Sequence, residues 1–532
     1  DSFNTYSAQS IGLSPTGAVY VGGVNGWYQS LDGGANWVSI SKGSNGLTPH
    51  VDQHAWAFDG STVYNGNDGG IWRFTPLPGN QAGPGTWESL NTSSLSTILA
   101  QGVGIHPTNS TILLEGSQDN GIALRTSSSR TWTYVHGGDA SRVRFDPAPQ
   151  NGGRYAYTTD VSLYKFFYRS DDYGVTWNDK SVPGKPNVPW YALFAFHPDD
   201  TARLIVGLDR VYETRDRGDS WKAISPFLQG EKTYISSLTY ESGDIIFVAY
   251  GNRLFKTTND GGDGSATNWP DTGVGIDFGG SIIAVEVDRR FHGVIYLLTD
   301  SGKVWRTANG GNTWEDITGD LPQLPATSLA LRPSDGAADP VLFVGTAVGI
   351  YTSSHQGPNT SWSRLGSTLP DVSVQDLQFD LVTNSLAAAT YGRGIFVSSF
   401  VTDCRGGFGP GPLCSTLFGA WQITANGFQG QLTITSLIED SSTEGSFSAI
   451  VTFTDAPLRQ DRVIGTWNDT AKQITFTRLL PNNTTQNYTG FLGDNHPERE
   501  LILAGWFTES DIPPTAPRTS FGWFAEKFAK FA

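Results

Sequence analysis

Methionine is absent from the 532 residues, and cysteine occurs only twice. Two cysteines cannot staple a chain of this length, so a disulfide scaffold is excluded. Basic residues are scarce: 35 Lys and Arg against 51 Asp and Glu give a net charge of −16. Such a surface repels phosphate backbones and anionic headgroups, which excludes nucleic-acid and membrane-surface roles. No apolar run reaches the ~18 residues that a spanning helix needs. No basic, apolar leader opens the chain, and without an initiator Met it is expected to be processed or trimmed. What is abundant is glycine, 63 residues, beside an aromatic share of 12%. That pairing points to a turn-rich all-β protein, long enough for two domains.

A short motif recurs in which a strand ends in a polar residue, a Gly/Asp/Asn turn follows and a Trp opens the next strand. Its copies are SLDGGANW (Trp37), RSDDYGVTW (Trp177), TRDRGDSW (Trp221), TTNDGGDGSATNW (Trp269) and TANGGNTW (Trp314), with degenerate copies ending at Trp87, Trp132 and Trp362. Successive Trp positions lie 50, 45, 45, 44, 48, 45 and 48 residues apart. Only an array of similar units keeps such a period, and four short strands with their turns fill it, the size of a propeller blade. A solenoid is the alternative for a repeat of this length, but it would show helices or a shorter period.

The motif resembles the Asp-box, S/T-x-D-x-G-x-T-W, of bacterial neuraminidase repeats in sialidases, sortilin-type receptors and two-propeller xyloglucanases, over about residues 10–400. The resemblance implies a β-propeller in which Asp32, Asp172, Asp216 and Asp260 cap hairpin turns, with Asn309 replacing the acid in one copy. It identifies a fold and leaves activity open. Nine third strands can be counted, GWYQS, GGIWRF, GIALRT, LYKFFYRS, VYETR, LFKTT, VWRTA, GIYTSS and GIFVSS. The expectation is therefore an all-β, multi-bladed propeller of about eight to ten blades over 1–402. Its last blade lacks a fourth strand, so either residues 1–9 close the ring or earlier blades lie outside this chain.

Residues 403–414 read as a linker. Cys404 and Cys414 in DCRGGFGPGPLC resemble a disulfide-clipped loop, with two free thiols as the alternative. Over 415–532 the boxes stop and eight strand-like runs follow. With G-x-W at Gly419–Trp421 and Gly465–Trp467, they resemble the small antiparallel β-barrels of the avidin and lipocalin group; a β-sandwich is the alternative. Sequons at Asn91, Asn109, Asn359, Asn468, Asn482, Asn483 and Asn487 are compatible with glycosylation and secretion without proving either.

Propeller connections alternate between two faces, so the loops between blades and the turns between second and third strands share the face opposite the boxes. On that face the sequence collects His50, Asp52 and His54 (HVDQH), Asp68 (GNDGG), Asp119 (GSQDNG), Asp139 (GGDA), Asp160 (TTDVS), Asp209 with Arg210 (GLDRV), and Arg393 (YGRGIF). The run also resembles an uncharacterised branch of secreted Asp-box proteins. Three readings compete. Asp before Gly is a turn residue whose carboxylate bonds nearby amides. Paired carboxylates at Asp52, Asp68, Asp119 and Asp139 suit acid/base work on a glycan, with His50, His54, Trp72, Asp160 and Arg393 as substrate-binding candidates. The alternating His50, Asp52 and His54 would share one side of an extended segment and could hold a divalent metal; two histidines orienting carboxylates is the preferred reading, and no cofactor is expected.

Trp56, Trp72, Phe166–Tyr168, Trp190 and Tyr191 could stack sugar rings, although large aromatics are more often core. The F/Y-R-I-P tetrapeptide of sialidases, Ser-His-Asp and Cys-His arrangements, and phosphate-binding glycine loops have no support. The functional expectation is a secreted protein that recognises an extracellular glycan and is a candidate glycoside hydrolase, its barrel an accessory module. The alternative is a non-catalytic, sortilin-like binding or assembly protein with a surface-protein partner or copies of itself.

Overall fold

The computed structural model describes residues 8–399 and 419–527, short internal segments excepted. Cys404, Cys414, Asn359, Asn482, Asn483 and Trp190 lie outside the described residues. No α-helix occurs among the described residues. Nine consecutive antiparallel sheets cover 8–39, 53–89, 100–136, 140–179, 193–223, 237–257, 282–316, 326–364 and 374–399, matching the nine third strands counted from sequence. The sixth and ninth have three strands and the others four.

Seven of the nine sheets make the ring. Each neighbouring pair from the third sheet onward shares an apolar core: Leu114 and Val143 between the third and fourth, Phe167 and Phe194 between the fourth and fifth, and so on round to the eighth and ninth. The circle then closes between the ninth and the third, where Ala387 and Ala389 pack with Ala100, Val103, Ile105 and Leu113. The inner strands Ala100–His106 and Val374–Asp380 lie side by side at this seam. A backbone bridge joins Leu99 to Tyr391, and the Gly392 N–H donates to the Ile98 carbonyl. The first two sheets stand outside the ring and share a core of their own around Tyr20, Trp27, Phe74 and Trp87. Ala8–Leu13 is the first strand of that first sheet, so residues 8 and 9 do not complete the ninth.

The recurrent Trp explains the period. Trp87 Nε1 donates to the Ile40 carbonyl at 2.7 Å, Trp221 to Lys180 at 2.7 Å and Trp269 to Ile224 at 3.0 Å, each reaching back into the preceding sheet. An indole therefore ties the second, fifth and sixth sheets each to the one before, whereas Trp177 Nε1 donates to Gly174 within its own turn.

The box turns share one geometry. Asp32 accepts the Asn36 N–H, Asp172 the Thr176 N–H and Asp216 the Ser220 N–H, all at 2.8 Å, while Ser30, Ser170 and Thr214 each donate to the same acid. Asn309 does likewise for Thr313. In the sixth sheet the expectation for Asp260 is corrected. Thr257 donates to Asn259, one residue earlier, and receives the Gly261 N–H. Asp260 adopts φ 55° and pairs with Arg203 at 2.6 Å and Arg215 at 2.9 Å. The extra residues of TTNDGGDGSATNW hide the register.

Residues 419–527 form a closed barrel of eight antiparallel strands, the first, Gly419–Ala425, pairing with both the second and the last, Phe521–Lys527. Both G-x-W tryptophans, Trp421 and Trp467, are buried in its core beside Phe447 and Phe476. Among the sequons, Asn109 is only 5% exposed and its Oδ1 accepts the Thr111 N–H, so it is not a surface acceptor. Asn91 and Asn487 are exposed, whereas Asn468 is half-buried.

Candidate carboxylate site at the seam between the second and third sheets

The site forms where the flanking pair meets the ring. Asp52 comes from the loop entering the second sheet, and its N–H is held by the Val24 carbonyl of the first. Asp68 lies in the tight turn between Thr62–Asn67 and Gly70–Leu77, and Asp119 in the turn between Asn109–Ser117 and Gly121–Arg125. These three carboxylates converge, with one oxygen from each lying within 4.8 Å of the others. All three residues are half-buried. Asp52 and Asp119 have φ of 58° and 63°, a left-handed conformation costly for a side-chain-bearing residue. Glycine is required beside Asp68: a Cβ at Gly69 would lie 2.4 Å from His50 Cβ.

The two histidines hold different parts of this frame. His50 Nε2 donates to the Asp119 carbonyl at 2.9 Å, fixing the third-sheet turn against the second-sheet loop. His54 Nε2 lies 2.5 Å from Asp68 Oδ1. Asn120 adds a bond from its Nδ2 to the Asp68 carbonyl at 2.8 Å. The His50, Asp52 and His54 metal set is therefore corrected, because only Asp52 joins the group whose oxygens could surround one ion. His54 contacts a carboxylate, that of Asp68, whereas His50 bonds a backbone carbonyl and not a carboxylate.

A staircase of acids supports Asp119. Asp160 Oδ2 accepts the Asp139 N–H at 3.0 Å, and Asp139 Oδ1 accepts the Asp119 N–H at 2.8 Å. The first step recurs elsewhere in the ring: Asp209 accepts the Asn187 N–H and Asp300 the Ser281 N–H, both at 3.0 Å. An acid at the second-to-third turn clamping the incoming loop is thus a joint shared by the fourth, fifth and seventh sheets. Asp160, 5% exposed, belongs to that joint and is not placed to contact substrate. Asp139 is a positioning residue, bonded to backbone, and does not join the three-acid group.

Burial raises the Asp119 carboxyl to about 6, reinforced by the negative charge of Asp68, Asp139 and Asp52. The group is therefore partly protonated near neutrality while its neighbours crowd it. Other sequence candidates fall elsewhere. Trp72 and Trp56 pack against the core shared by the first two sheets. Phe166 and Phe167 are fully buried core residues. Arg393 occupies the exposed turn that follows the Leu99–Tyr391 bridge. Tyr191, 38% exposed, lines the ring channel and donates to Gln118 Oε1 at 3.3 Å, which ties the Asp119 turn to the channel mouth. Asn120 and Gln118 flank Asp119 in the GSQDNG run, and their bonds reach residues 52 and 73 positions away, so no local pattern marks them.

No protein-family model and no curated protein matches this chain. Among solved structures it is similar to the GH74 xyloglucanase of Xanthomonas campestris, with 17% identity over 74% of this chain and 59% of that one and a TM-score of 0.48. The chain thus spans less than two thirds of that enzyme. It is also similar to YCF48 of Cyanidioschyzon merolae, with 14% identity over 61% of this chain and 97% of that one and a TM-score of 0.42. An ancestral GH74 enzyme gives 12% identity over 93% and 84%, with a TM-score of 0.43. These are similarities of architecture, and the β-propeller itself rests on the seven shared cores that close the ring.

Proposed function

We propose that the protein is a secreted, Asp-box-type glycan-binding protein that hydrolyses glycosidic bonds at the carboxylate group of Asp52, Asp68 and Asp119. In this reading the chain divides into a propeller region to about 402, a linker, and an avidin- or lipocalin-like accessory barrel from about 415. The observation that carries it is the convergence of three acids from three separate loops within 4.8 Å, with one of them raised towards neutrality. Close carboxylates of this kind suit a retaining double displacement, whose two carboxyl groups stand about 5–5.5 Å apart. Asp119 would protonate the departing glycosidic oxygen, and Asp68, oriented by His54, would attack the anomeric carbon. Water then enters with Asp119 as base, releasing the sugar from Asp68 and restoring the proton.

The test is release of reducing ends from a panel of polysaccharides by the full chain and by Asp68→Asn and Asp119→Asn. A cleaved polymer is expected, with each variant slower by about 10²-fold or more. Release should fall as pH rises past about 6, where Asp119 loses its proton. No release from any glycan, with glycan binding unchanged in both variants, overturns the hydrolase reading.

A second reading has its own support. Three carboxylate oxygens within one small sphere also suit a hard divalent cation that would clamp the flanking sheets to the ring. Calcium added to the chelator-treated protein should then raise its melting temperature, and Asp52→Asn should abolish the rise. A flat response to calcium removes this reading.

A further inference from the structure

The ring encloses a second chemical environment, separate from the three-acid group. A cavity of about 370 Å³ lies on its axis, with residues from all seven inner strands in its wall. Arg142 from Ala140–Phe145 and Glu286 from Ile282–Val287 both line it. They lie on opposite parts of the circle, the fourth and seventh sheets. Among the described residues neither side chain has a hydrogen bond or an ion-pair partner. Asp376, also in the wall, is already satisfied by two bonds from Arg144 and by the Val103 N–H. Arg289 lines the same cavity and is exposed, so the channel reaches solvent beside a second guanidinium. Gln101 and Gln375 add neutral amides.

With Asp376 neutralised by Arg144, the two guanidiniums of the wall, Arg142 and Arg289, face one remaining carboxylate, Glu286, inside a chain of net charge −16. Burial lowers Arg142 to about 10, with repulsion from Arg144, against the attraction of Asp376 and Glu286. Burial likewise raises the Glu286 carboxyl, opposed by Arg142, Arg289 and Arg144. Burial thus opposes the charged form of both groups, and an incoming partner would relieve that opposition. A guanidinium presents a planar fork that matches a carboxylate at two points. A dianion would satisfy the fork but face Glu286, and a neutral solute would leave the fork unpaired. The solute that satisfies both poles carries one negative charge and hydrogen-bond donors.

We propose that the ring channel binds a small monocarboxylate bearing hydroxyl or ammonium donors, with Arg142 taking the carboxylate and Glu286 the donors. A sugar acid and an amino acid share this chemistry, and the volume admits either as a single molecule.

Titration calorimetry on the full chain with glucuronate, glycine, glucose and inorganic phosphate tests it. One-site binding of glucuronate or of glycine is expected, with glucose and phosphate weaker. Glucuronate alone assigns hydroxyl donors, and glycine alone assigns ammonium. Arg142→Gln should weaken binding at least about tenfold, and Arg142→Lys, which keeps charge without the fork, should weaken it less. Should these variants not fold, hydrogen exchange of the unmodified chain gives the answer, because ligand should slow the strands carrying Arg142 and Glu286. No binding of either monocarboxylate, phosphate as tight as both, a folded Arg142→Gln of undiminished affinity, or unchanged exchange in those strands each overturns the proposal.

Discussion

Arg144 and Asp376, 232 residues apart in the chain, form a two-point ion pair with Nη1 to Oδ2 at 2.6 Å and Nη2 to Oδ1 at 2.8 Å. Arg144 belongs to the fourth sheet and Asp376 to the ninth, and both also bond Val103 of the third, its carbonyl and its N–H respectively. Three sheets are thereby locked where the ring closes. Both side chains are buried, and Arg144 holds Asp376 below the usual carboxylate range although burial pushes it the other way.

Removing one partner should therefore be far worse than removing both. Asp376→Asn is expected to cost about 3–5 kcal/mol, since it leaves a buried guanidinium uncompensated. An Arg144→Met, Asp376→Leu double variant should lose less than the sum of the single losses. Denaturant unfolding of the four proteins measures the coupling; strictly additive losses would contradict the lock.

Asp119 links the seam to pH. Its carboxyl is raised in the folded chain to about 6, so the folded state holds this proton more tightly than the unfolded state. The stabilisation is fully present below the unfolded value near 4 and is lost as pH rises through about 6. Asp119→Asn should thus melt higher than the parent at pH 7, with the advantage shrinking towards pH 4. Melting curves across this range check the sign, and a parent more stable at pH 7 would refute it.

The sixth box separates two neighbouring residues by their work. Asn259→Ala removes the turn bond from Thr257 and should cost on the order of 1 kcal/mol. Asn259→Asp should be tolerated, because aspartate holds the equivalent place at 32, 172 and 216. Asp260→Asn should weaken the Arg203 and Arg215 contacts and leave the turn itself intact. Chemical denaturation of the three variants distinguishes these outcomes.

The interblade indoles make a further test. Trp269→Phe keeps an aromatic ring but abandons the buried Ile224 carbonyl, and a loss of about 1–3 kcal/mol is expected by calorimetric or denaturant unfolding. The exposed Asn487 and the buried Asn109 offer another contrast. In a glycosylating host, mass spectrometry should find Asn109 unmodified, since its side chain is bonded within the fold.

Much of this architecture was legible in the sequence. The Trp period and the nine third strands correspond to nine sheets because each unit carries its own strands and turns, and in three of them an indole also reaches back one unit. The convergence of Asp68 and Asp119 was also foreseeable, since both sit in the same turn of successive units. Asp160 and Asp139 each accept a backbone N–H, and a loop-clamping acid and a reactive acid carry the same local sequence pattern. Arg142 and Glu286 are not legible in the sequence, as isolated charges in apolar strands 144 residues apart carry no local pattern.

The sequence by itself determined the repeating unit, its strands and its turns, because alternation, glycine and the box are local. The tertiary structure decided that seven sheets close and two stand aside. Closure depends on the angle accumulated between packed sheets and on whether the last can meet an earlier one. Here the small Ala387 and Ala389 face Ala100 and Val103, and Arg144 reaches Asp376 across the seam. Asp52 and Asp68, outside the ring, are held against Asp119, within it, by bonds of His50 and Asn120 between loops distant in the chain, which only the tertiary structure brings together.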